Sequence, residues 1–201
     1  MLIGLSGKAR VGKDTFAVML ADEFQKQEQM NFVALAYADE MKNDLMKNFG
    51  LTREHLYGSL KEVPDERFPK PDGSGFWTPR EIMQEYGQWC RKIEPNHWVR
   101  RLYEVIDREK LNNVIVTDIR QMNEVQAVLD RGGYHIRLNR EDRDSINNSN
   151  HETETALDEE NYQIDFHIEN NGTLDDLKRA AKGTVKAIMK IDVYKGGINY
   201  G

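Results

Sequence analysis

The chain has 201 residues, of which 39% are hydrophobic and 31% charged, and its formal net charge at pH 7 is −6. This length fits one α/β domain, alone or with a modest insert. The acidic balance argues against a protein that coats DNA or RNA, because such a role needs clustered positive charge. We therefore expect no nucleic-acid polymer among its partners.

Cysteine content and hydropathy exclude two further classes of protein. Cys90 is the only cysteine, so neither an internal disulfide nor a cysteine-cluster zinc site is available. No apolar run approaches the roughly 20 residues that span a bilayer. Met1 leads directly into a strand-like segment, without the pattern of a signal peptide. These observations predict a cytoplasmic protein without a membrane partner.

Apolar patterns along the chain predict alternating strands and helices. Leu2 to Leu5 predicts a short buried strand, and apolar residues every four positions predict a helix that starts near Gly12 or Lys13. Four further strands are predicted at 32–37, 114–117, 134–138 and 164–168. Helical patterns between strands are typical of parallel βα units, so we expect an α/β fold around a central, mostly parallel five-stranded sheet flanked by helices.

Two long segments interrupt this alternation. More than 70 residues separate the second and third predicted strands; residues 63–75 form a loop rich in Pro, Gly and charge, and two helices follow. We assign an acceptor-binding helical insert to about 38–110, within a single domain spanning 1–201. A second polar stretch, about 140–161, is either a lid or an ordinary solvated loop.

The segment between the first strand and the first helix has the spacing of a phosphate-binding loop. Gly7 and Gly12, followed by Lys13, match Gly-x₄-Gly-Lys between a strand and a helix, the context such a loop requires. Glycines let successive N–H groups point at phosphate oxygens, and the helix N-terminus adds partial positive charge. Lys13 is then placed to reach the β- and γ-phosphates of a nucleotide.

The position after this lysine departs from the usual pattern. Asp14 stands where Ser or Thr is common, and Thr15 follows it. A carboxylate is a suitable hard ligand for Mg²⁺, directly or through water. The alternative is that the Thr15 hydroxyl contacts the metal from one position further along, and both residues remain candidate metal ligands.

A helix with one polar face is predicted after the long loop. Thr78 is a suitable N-cap, Pro79 suits the first helical position, and Glu81 completes a capping box. At about 100° per residue one stripe is apolar (Ile82, Met83, Tyr86, Cys90) and is expected to face the core. The opposite stripe holds Arg80, Gln84, Gly87, Gln88 and Arg91. Taken alone, such a face is either solvated or a ligand surface with a guanidinium fork for phosphate and an amide for a base edge.

An acidic residue ends the third predicted strand. Asp118 follows Val116-Thr117, and Arg120 comes two residues later. In phosphoryl-transfer enzymes with a phosphate loop this position holds Mg²⁺ or its water. Asp118 as a cap for the helix that begins near Gln121 is the alternative, and it is compatible with the metal role.

Together these residues resemble the deoxynucleoside monophosphate kinases of bacteriophages. The resemblance covers roughly residues 2–178 and includes the Gly-Lys-Asp-Thr form of the loop. The glycine loop is shared with many kinases, whereas the acceptor helix, the end of the third strand and the segment around His151 are more specific. Matching pieces further include Ala38-Asp39 with Lys42, Trp98, Thr117 to Arg120 with Asn123-Glu124, Thr153-Glu154, and Asn170 to Thr173.

The resemblance implies a P-loop kinase fold and a role for each matched position. It implies ATP contacts for Gly7, Arg10, Gly12, Lys13, Asp14, Thr15, Asn170 and Gly172, with adenine near Asn170 to Gly172. It implies acceptor contacts for Asp39, Lys42, Arg80, Gln84, Trp98, Arg120, His151 and Glu154. Arg140 and Arg143 fall where such kinases carry lid arginines. The implied catalytic residues are Lys13, Asp118, Arg120 and Arg140, and the implied metal ligands are Asp14, Thr15 and Asp118.

The resulting hypothesis is an ATP- and Mg²⁺-dependent kinase of (deoxy)nucleoside 5′-monophosphates, in the host cytoplasm if the source is a phage. A homodimer is compatible with the sequence. One alternative is a kinase of another small phosphorylated metabolite, of the dephospho-coenzyme A or phosphomevalonate type. A second alternative is a nucleotide-binding switch, which the long insert and the lack of a basic groove disfavour.

Overall fold

The structure is a computed structural model that describes residues 1–141 and 162–197. Two compact units are present, one formed by Met1–Ala36 with Ile106–Gly201 and the other by Tyr37–Val105. In chain order the described elements are β1 (Leu2–Ser6), α1 (Lys13–Glu28), β2 (Val33–Leu35), α2 (Tyr37–Phe49), α3 (Arg53–Tyr57), a 3₁₀ helix (Ser59–Glu62), α4 (Pro79–Ile93), α5 (His97–Arg108), β3 (Val114–Ile119), α6 (Met122–Asp130), β4 (Tyr134–Asn139), β5 (Phe166–Glu169) and α7 (Leu174–Gly197).

The first unit contains a five-stranded parallel sheet in the order β2-β3-β1-β4-β5. β1 lies at the centre, where Ser6 pairs with Ile119 of β3 on one side and with Arg137 of β4 on the other. The predicted α/β fold with five parallel strands is confirmed. In such sheets ligands bind beyond the carboxyl ends of the strands, and the segment after β1 leaves the sheet at that edge.

Two helices pack on the sheet through apolar stripes. Ile3 and Leu5 of β1 are fully buried, as expected for a strand covered on both faces. α1 contributes residues at intervals of four and α7 a similar stripe, so one core cluster joins both helices to the sheet. Its helical members include Phe16, Leu20, Phe24, Leu177, Ala181, Val185 and Ile188.

The second unit is helical and has its own core, formed by Leu45, Leu51, Leu56, Ile82 and Met83. The predicted start of α4 is confirmed, because Thr78 Oγ1 accepts from the Glu81 N–H at 3.2 Å and the Glu81 carboxylate accepts from the Thr78 N–H at 2.8 Å. The apolar stripe of α4 faces the core as predicted, with Ile82, Met83 and Cys90 buried and Tyr86 half-buried.

Each of β1 and β4 extends one residue beyond its predicted end, and the other three strands differ from their predicted bounds by more. The second strand is only Val33–Leu35, because it lies at the sheet edge and Tyr37 already begins α2 with a buried ring. β3 extends to Ile119, so Asp118 lies within the strand. β5 begins at Phe166 rather than at Ile164, and just before it the Asp165 carboxylate accepts from the His135 N–H at 2.8 Å.

The insert itself begins with three elements that apolar spacing did not indicate, namely α2, α3 and the 3₁₀ helix. Within the residues that the structure describes, no helix is long and apolar enough to cross a membrane.

Candidate active site

The segment between β1 and α1 is a phosphate-binding loop in its backbone geometry. Gly7, Arg10 and Gly12 have φ angles of 141°, 63° and 97°. Gly12 is also the N-cap of α1 in the left-handed conformation and has no side chain with which to cap the helix. Positive φ angles in such a turn direct successive N–H groups inward, and the helix N-terminus adds partial positive charge. The loop therefore fits an anionic ligand.

Both glycines of this loop are required by their surroundings. A Cβ atom on Gly7 would lie 2.3 Å from the Leu138 carbonyl oxygen, and one on Gly12 would lie 2.6 Å from Asn170 Nδ2. At Gly7 the close neighbour is backbone, whereas at Gly12 the Asn170 side chain would have to move, and at both positions the positive φ adds strain for any L side chain. The residue types that the sequence motif specifies are therefore the ones that this backbone can accept.

Lys13, the first residue of α1, lies against the loop. Its Nζ donates to the carbonyl oxygens of Gly7 at 2.7 Å and Lys8 at 2.8 Å. The side chain is half-buried, whereas Lys8 and Arg10 are exposed. The ammonium group is thus held over the loop rather than extended into solvent, which is where a phosphate charge would need a counterion.

The loop after β5 contacts the phosphate loop. Asn170 Nδ2 donates to the Val11 carbonyl at 2.9 Å, and the Asn170 N–H donates to the Asn139 carbonyl at 2.8 Å. Gly172 is exposed in the same loop. The loop ends in a capping interaction at the start of α7, where hydrogen bonds from Thr173 and the nearby Arg179 lower the pKa of Asp176 to about 2. The phosphate loop is therefore braced by a segment that is more than 150 residues away in sequence.

The predicted metal ligands lie at or beside this loop. Asp14 and Thr15 are exposed in the first turn of α1, and Asp118 is half-buried near the end of β3, the strand next to β1. Among the described residues no group of three or more His, Cys, Asp and Glu side chains could hold a metal ion by itself. Isolated oxygen ligands of this kind fit Mg²⁺, which keeps water molecules and takes further oxygens from phosphates.

The residues after Asp118 show which side chain caps the start of α6. The N-cap of α6 is Gln121, and the buried Glu124 carboxylate accepts from the backbone N–H groups of Arg120 at 2.8 Å and Gln121 at 3.1 Å. Glu124 therefore fills the capping role that the sequence had offered to Asp118. A side chain three residues into the helix reaches these N–H groups directly, whereas Asp118 lies within β3. Arg120 is half-buried at this turn, and Arg140 is exposed after β4.

In the second unit, Arg80 on the predicted acceptor face of α4 already forms an ion pair. Arg80 Nε donates to the Glu62 carboxylate, and the two side chains are 47% and 60% exposed. Gln84 is half-buried. The Arg80 guanidinium thus lies at the surface, where the Glu62 carboxylate is bound to the group that was predicted to bind the acceptor phosphate.

Two other predicted acceptor positions occupy packed sites. The Trp98 indole is only 2% exposed, and its Nε1 donates to the Gly87 carbonyl at 3.1 Å. Gly87 is buried, and a Cβ atom there would lie 3.0 Å from Met41 Sδ. Gly87 therefore serves the close approach of α2 to α4 rather than an exposed ligand face. A substrate contact by Trp98 stays a prediction.

Asp39 and Lys42 both contact Tyr57, a residue that was not predicted from the sequence to belong to the site. Lys42 Nζ lies 3.9 Å from the centroid of the Tyr57 ring, and the Tyr57 hydroxyl donates to Asp39 Oδ1 at 3.5 Å. Burial, with the Asp39 charge next, raises the pKa of Tyr57. The three side chains form a mixed polar and aromatic cluster between α2 and α3. The remaining predicted residues Arg143, His151 and Glu154 lie outside the described residues.

A buried polar contact beneath the phosphate loop was missed from the sequence. His135 and Ser6 are both fully buried, and His135 Nε2 lies 2.8 Å from Ser6 Oγ, one residue before Gly7. His135 Nδ1 lies 3.0 Å from the Gln163 carbonyl, which only accepts, so Nδ1 carries the proton and Nε2 accepts from Ser6. Burial lowers the pKa of His135, which favours the neutral ring. The feature of the sequence that could have predicted this contact is a Ser and a His within otherwise apolar strands.

A parallel sheet in the order 2-3-1-4-5 with a Gly-x₄-Gly-Lys loop after its central strand defines a P-loop kinase fold. Dephospho-CoA kinase from Campylobacter jejuni shares this fold, with a TM-score of 0.50 over 95% of this chain and 98% of that one, at 13% identity. A family model described as deoxynucleotide monophosphate kinase matches residues 70–181.

A protein of Acanthamoeba polyphaga mimivirus, provisionally described as a deoxynucleotide monophosphate kinase, is 29% identical over 158 residues, which cover 70% of this chain and 74% of the relative. The family match spans more than half of the chain. The chain therefore belongs to the deoxynucleotide monophosphate kinase family, and it is a phosphotransferase that acts on small nucleotides.

Proposed function

We propose that the enzyme transfers the γ-phosphoryl group of ATP, with Mg²⁺, to the 5′-phosphate of a deoxynucleoside monophosphate and releases ADP and the deoxynucleoside diphosphate. The observation that supports the proposal is the phosphate loop, whose positive φ angles and closely packed glycines suit a backbone that surrounds an anion. The family match supports the nucleotide acceptor.

On the donor side, the loop binds phosphates through its N–H groups and Lys13 neutralises charge at the β- and γ-positions. Asn170, which holds the loop at Val11, and the neighbouring Gly172 form the surface on which adenine rests. Mg²⁺, held by Asp14 or Thr15 together with Asp118, would neutralise developing charge on the transferring group when bound. Arg120 and Arg140 supply further positive charge for the same purpose.

On the acceptor side, Arg80 grips the monophosphate and Gln84 contacts the base. Asp39 and Lys42, gathered on Tyr57, contribute polar groups for the sugar or phosphate. We extend the acceptor set to Trp98, His151 and Glu154 on the resemblance alone. Glu62 is displaced from Arg80 when the phosphate binds, since an exposed ion pair contributes only about 0–1 kcal/mol.

The chemistry asks little of protein side chains. An oxygen of the acceptor phosphate forms the new bond to the γ-phosphorus while the bond to the β–γ bridging oxygen breaks, and the electron pair leaves with ADP. The attacking oxygen is already anionic at neutral pH, so no general base is needed. Alignment and charge neutralisation supply the acceleration.

The experiment is an ADP-formation assay with ATP, Mg²⁺ and a panel of acceptors. The panel holds the four common deoxynucleoside monophosphates, their ribose counterparts and dephospho-coenzyme A. We expect ADP formation that depends on at least one deoxynucleoside monophosphate, with the matching diphosphate identified by mass. Turnover only with dephospho-coenzyme A, or ATP hydrolysis that no acceptor stimulates, would show that the acceptor is assigned wrongly.

A further inference from the structure

The long loop between the 3₁₀ helix and α4 forms one wall of a cavity in the second unit, and α4 forms another. The volume of the cavity is about 510 Å³, within the range of small-molecule sites. Its lining is mainly aromatic and includes Phe49, Phe68, Trp77, Tyr86 and Trp89. Neither the donor site nor the acceptor site proposed above uses these side chains.

Hydrogen bonds fix the two aromatic residues that the loop contributes. The Trp77 N–H donates to the Phe68 carbonyl at 2.8 Å, and the Asp65 N–H donates to the Trp77 carbonyl at 2.9 Å. Lys70 Nζ donates to Glu81 Oε1 at 2.7 Å, which ties the loop to the first turn of α4. The cavity is therefore formed in the absence of a ligand, which lowers the entropy cost of binding one.

The cavity lies on the side of α4 that faces away from the proposed acceptor face. Nine residues separate Arg80 from Trp89, which at about 100° per residue places them on opposite sides of the helix. By the same measure Gln84 lies about 40° from Arg80, whereas Glu85, which lines the cavity, lies about 140° from it. A ligand in the cavity is therefore separate from an acceptor bound at Arg80.

The two charged side chains of the lining, Arg67 and Glu85, differ in what they leave for a ligand. The Asp65 carboxylate accepts from Arg67 Nε at 2.9 Å and from Arg67 Nη2 at 2.6 Å, and Arg67 Nη1 donates to the Gly50 carbonyl at 3.3 Å. Glu85 is exposed, and within the described part of the chain it has no ion-pair partner. An anionic group would thus meet a neutralised arginine and an unpaired carboxylate, so the cavity disfavours anions.

A cationic ligand is also disfavoured, because two of the rings already have a cation beside them. Lys70 Nζ lies 5.2 Å from the centroid of the Trp77 ring, and Arg67 Cζ lies 5.2 Å from that of Phe68. An uncharged flat ring avoids both repulsions. It can stack on the Trp89 indole, which is 60% exposed, and aromatic pairs of this kind are favourable.

The polar groups of the lining indicate which flat ring fits. Among the residues that the structure describes, the indole N–H groups of Trp77 and Trp89 have no acceptor, whereas that of Trp98 donates to the Gly87 carbonyl. The Glu85 carboxylate only accepts, so its ligand must supply N–H groups. Guanine presents neighbouring N–H groups at N1 and N2, and acceptors for the indole N–H groups at O6 and N7.

We propose that this cavity is a second nucleobase site, separate from the acceptor face, which binds the guanine base of a nucleoside or nucleotide. The ring stacks on Trp89, and its N1 and N2 N–H groups donate to Glu85. The sugar and any phosphate extend into solvent, because the lining holds no unpaired cation among the described residues. Affinity is therefore set by the base. The inference does not depend on the proposed donor and acceptor.

Tryptophan fluorescence of the full chain, titrated with deoxyguanosine, tests the location. Trp77 and Trp89 line the cavity, whereas Trp98, the third tryptophan, is only 2% exposed. We expect saturable quenching with a dissociation constant below about 1 mM. Trp89→Ala, followed through Trp77, should raise this constant about 5- to 150-fold, the range for loss of one base–aromatic stack.

Two further variants separate the cavity from the rest of α4. Ile93→Ala is the matched control, since Ile93 is 66% exposed one turn after Trp89 and does not line the cavity, and it should bind like the unmodified chain. Gln84→Ala, on the acceptor face, should also leave the quenching unchanged. The proposal is overturned if no saturable quenching occurs, if Trp89→Ala binds as tightly as the control, or if Gln84→Ala alone loses the ligand.

Deoxyinosine, which lacks the amino group at N2, tests the contact with Glu85. The unmodified chain should bind deoxyguanosine about tenfold more tightly than deoxyinosine, since one hydrogen bond to a carboxylate is lost. In Glu85→Ala the two nucleosides should bind within about twofold of each other. Glu85 is exposed, so the thermal midpoint of this variant should equal that of the unmodified chain. A tenfold preference that persists in Glu85→Ala would contradict the proposed contact.

Deoxyguanosine monophosphate distinguishes a base site from a phosphate site. Measured by the same quenching, it should bind within about threefold of deoxyguanosine, because the cavity supplies no counterion for its phosphate. Much tighter binding of the monophosphate that Trp89→Ala also abolishes would show that the cavity recognises an anion, and would overturn the proposal.

Discussion

The phosphate loop and the acceptor face of α4 are positioned by different kinds of contact. Gly7 and Gly12 have backbone torsions that L side chains rarely adopt, and an added Cβ would lie 2.3 Å or 2.6 Å from its nearest neighbour. Arg80, by contrast, is 47% exposed and is positioned by one ion pair with Glu62. The first region is built before any ligand arrives, whereas the second can change partners.

This difference follows from what each region must recognise. A polyphosphate is bound by several N–H groups at once, and these act together only if the backbone is fixed in advance. An acceptor is recognised by a few side chains, which exchange an exposed carboxylate for a phosphate at small cost. We therefore expect substitutions in the loop to act on ATP, and substitutions on the α4 face to act on the acceptor.

The largest effect is expected for Lys13→Ala. Removing the ammonium over the loop should lower kcat about 10²- to 10³-fold, the range for deletion of one group that stabilises transition-state charge. The fold should survive, because the side chain lies against loop carbonyls rather than in the core. Lys26→Ala, at an exposed ion pair on α1, is the control and should remain within twofold. Near-normal turnover of a folded Lys13→Ala enzyme would refute the phosphate-loop assignment.

Arg80→Lys should have the next largest effect, and it tests the acceptor face of α4. Lysine keeps the charge but loses the planar fork, at a cost of about 1.5–3 kcal/mol for one charge-assisted hydrogen bond. The kcat/KM for the acceptor should fall about 10- to 150-fold with ATP affinity unchanged. Arg100→Lys, another exposed arginine paired with glutamates, provides the control. If Arg80 is an exposed arginine without a ligand role, neither the kcat/KM for the acceptor nor the affinity for ATP should change.

Gly12→Ala separates the shape of the loop from its charge. The substitution strains φ at +97° and drives a Cβ toward Asn170 Nδ2, so ATP affinity should fall about tenfold. Gly132→Ala is a matched control, because its φ is +70° but nothing lies within 4 Å of an added Cβ. Both variants should lose about 1 kcal/mol of unfolding free energy from the backbone strain. If they bind ATP equally well, the contact with Asn170 does not shape the donor site.

Asp118→Asn sharpens the metal assignment. If Asp118 contributes a carboxylate at the strand end, the Mg²⁺ concentration for half-maximal rate should rise by about threefold or more. The substitution is isosteric, and capping of α6 is unaffected because Glu124 provides it. A Mg²⁺ titration that superposes on that of the unmodified enzyme would remove Asp118 from the metal site.

The smallest effect concerns stability and pH at the buried contact below the loop. Burial lowers the pKa of His135, which lies near Asp165, Arg137 and His167, so as pH falls the unfolded chain binds a proton at this side chain before the folded protein does. The free energy of unfolding should therefore decrease below about pH 6.5, with a slope from this group of at most about 1.4 kcal/mol per pH unit. Urea unfolding at pH 7.5 and 5.5 should show a shallower dependence for His135→Asn. An unchanged dependence would mean that His135 is equally protonated in both states.

Local patterns in the sequence predicted those parts of the molecule that depend on neighbours in the chain. The capping box of Thr78 and Glu81 and the torsions of Gly7 and Gly12 are of this type. Apolar spacing also predicted the faces of α1 and α4 that are buried, because helix periodicity repeats over a few residues.

Contacts between distant residues were not predictable in this way. Ser6 and His135 are 129 residues apart, and Arg80 meets Glu62 across a loop of 16 residues that carries no periodic pattern. Gly87 was placed on a ligand face by its helical angle, whereas its real constraint is Met41 of another helix. The angular position of a residue on a helix indicates which residues share its face. It does not indicate which other part of the molecule packs against that face.

Direct binding to two variants tests the central claim that donor and acceptor are recognised by separate sets of residues. A non-hydrolysable ATP analogue and the best deoxynucleoside monophosphate would each be titrated by calorimetry into Lys13→Ala and Arg80→Lys. We predict that Lys13→Ala loses affinity for the ATP analogue and keeps it for the acceptor, and that Arg80→Lys shows the reverse. Loss of both ligands in either variant, or loss of the ATP analogue in Arg80→Lys alone, would contradict the account.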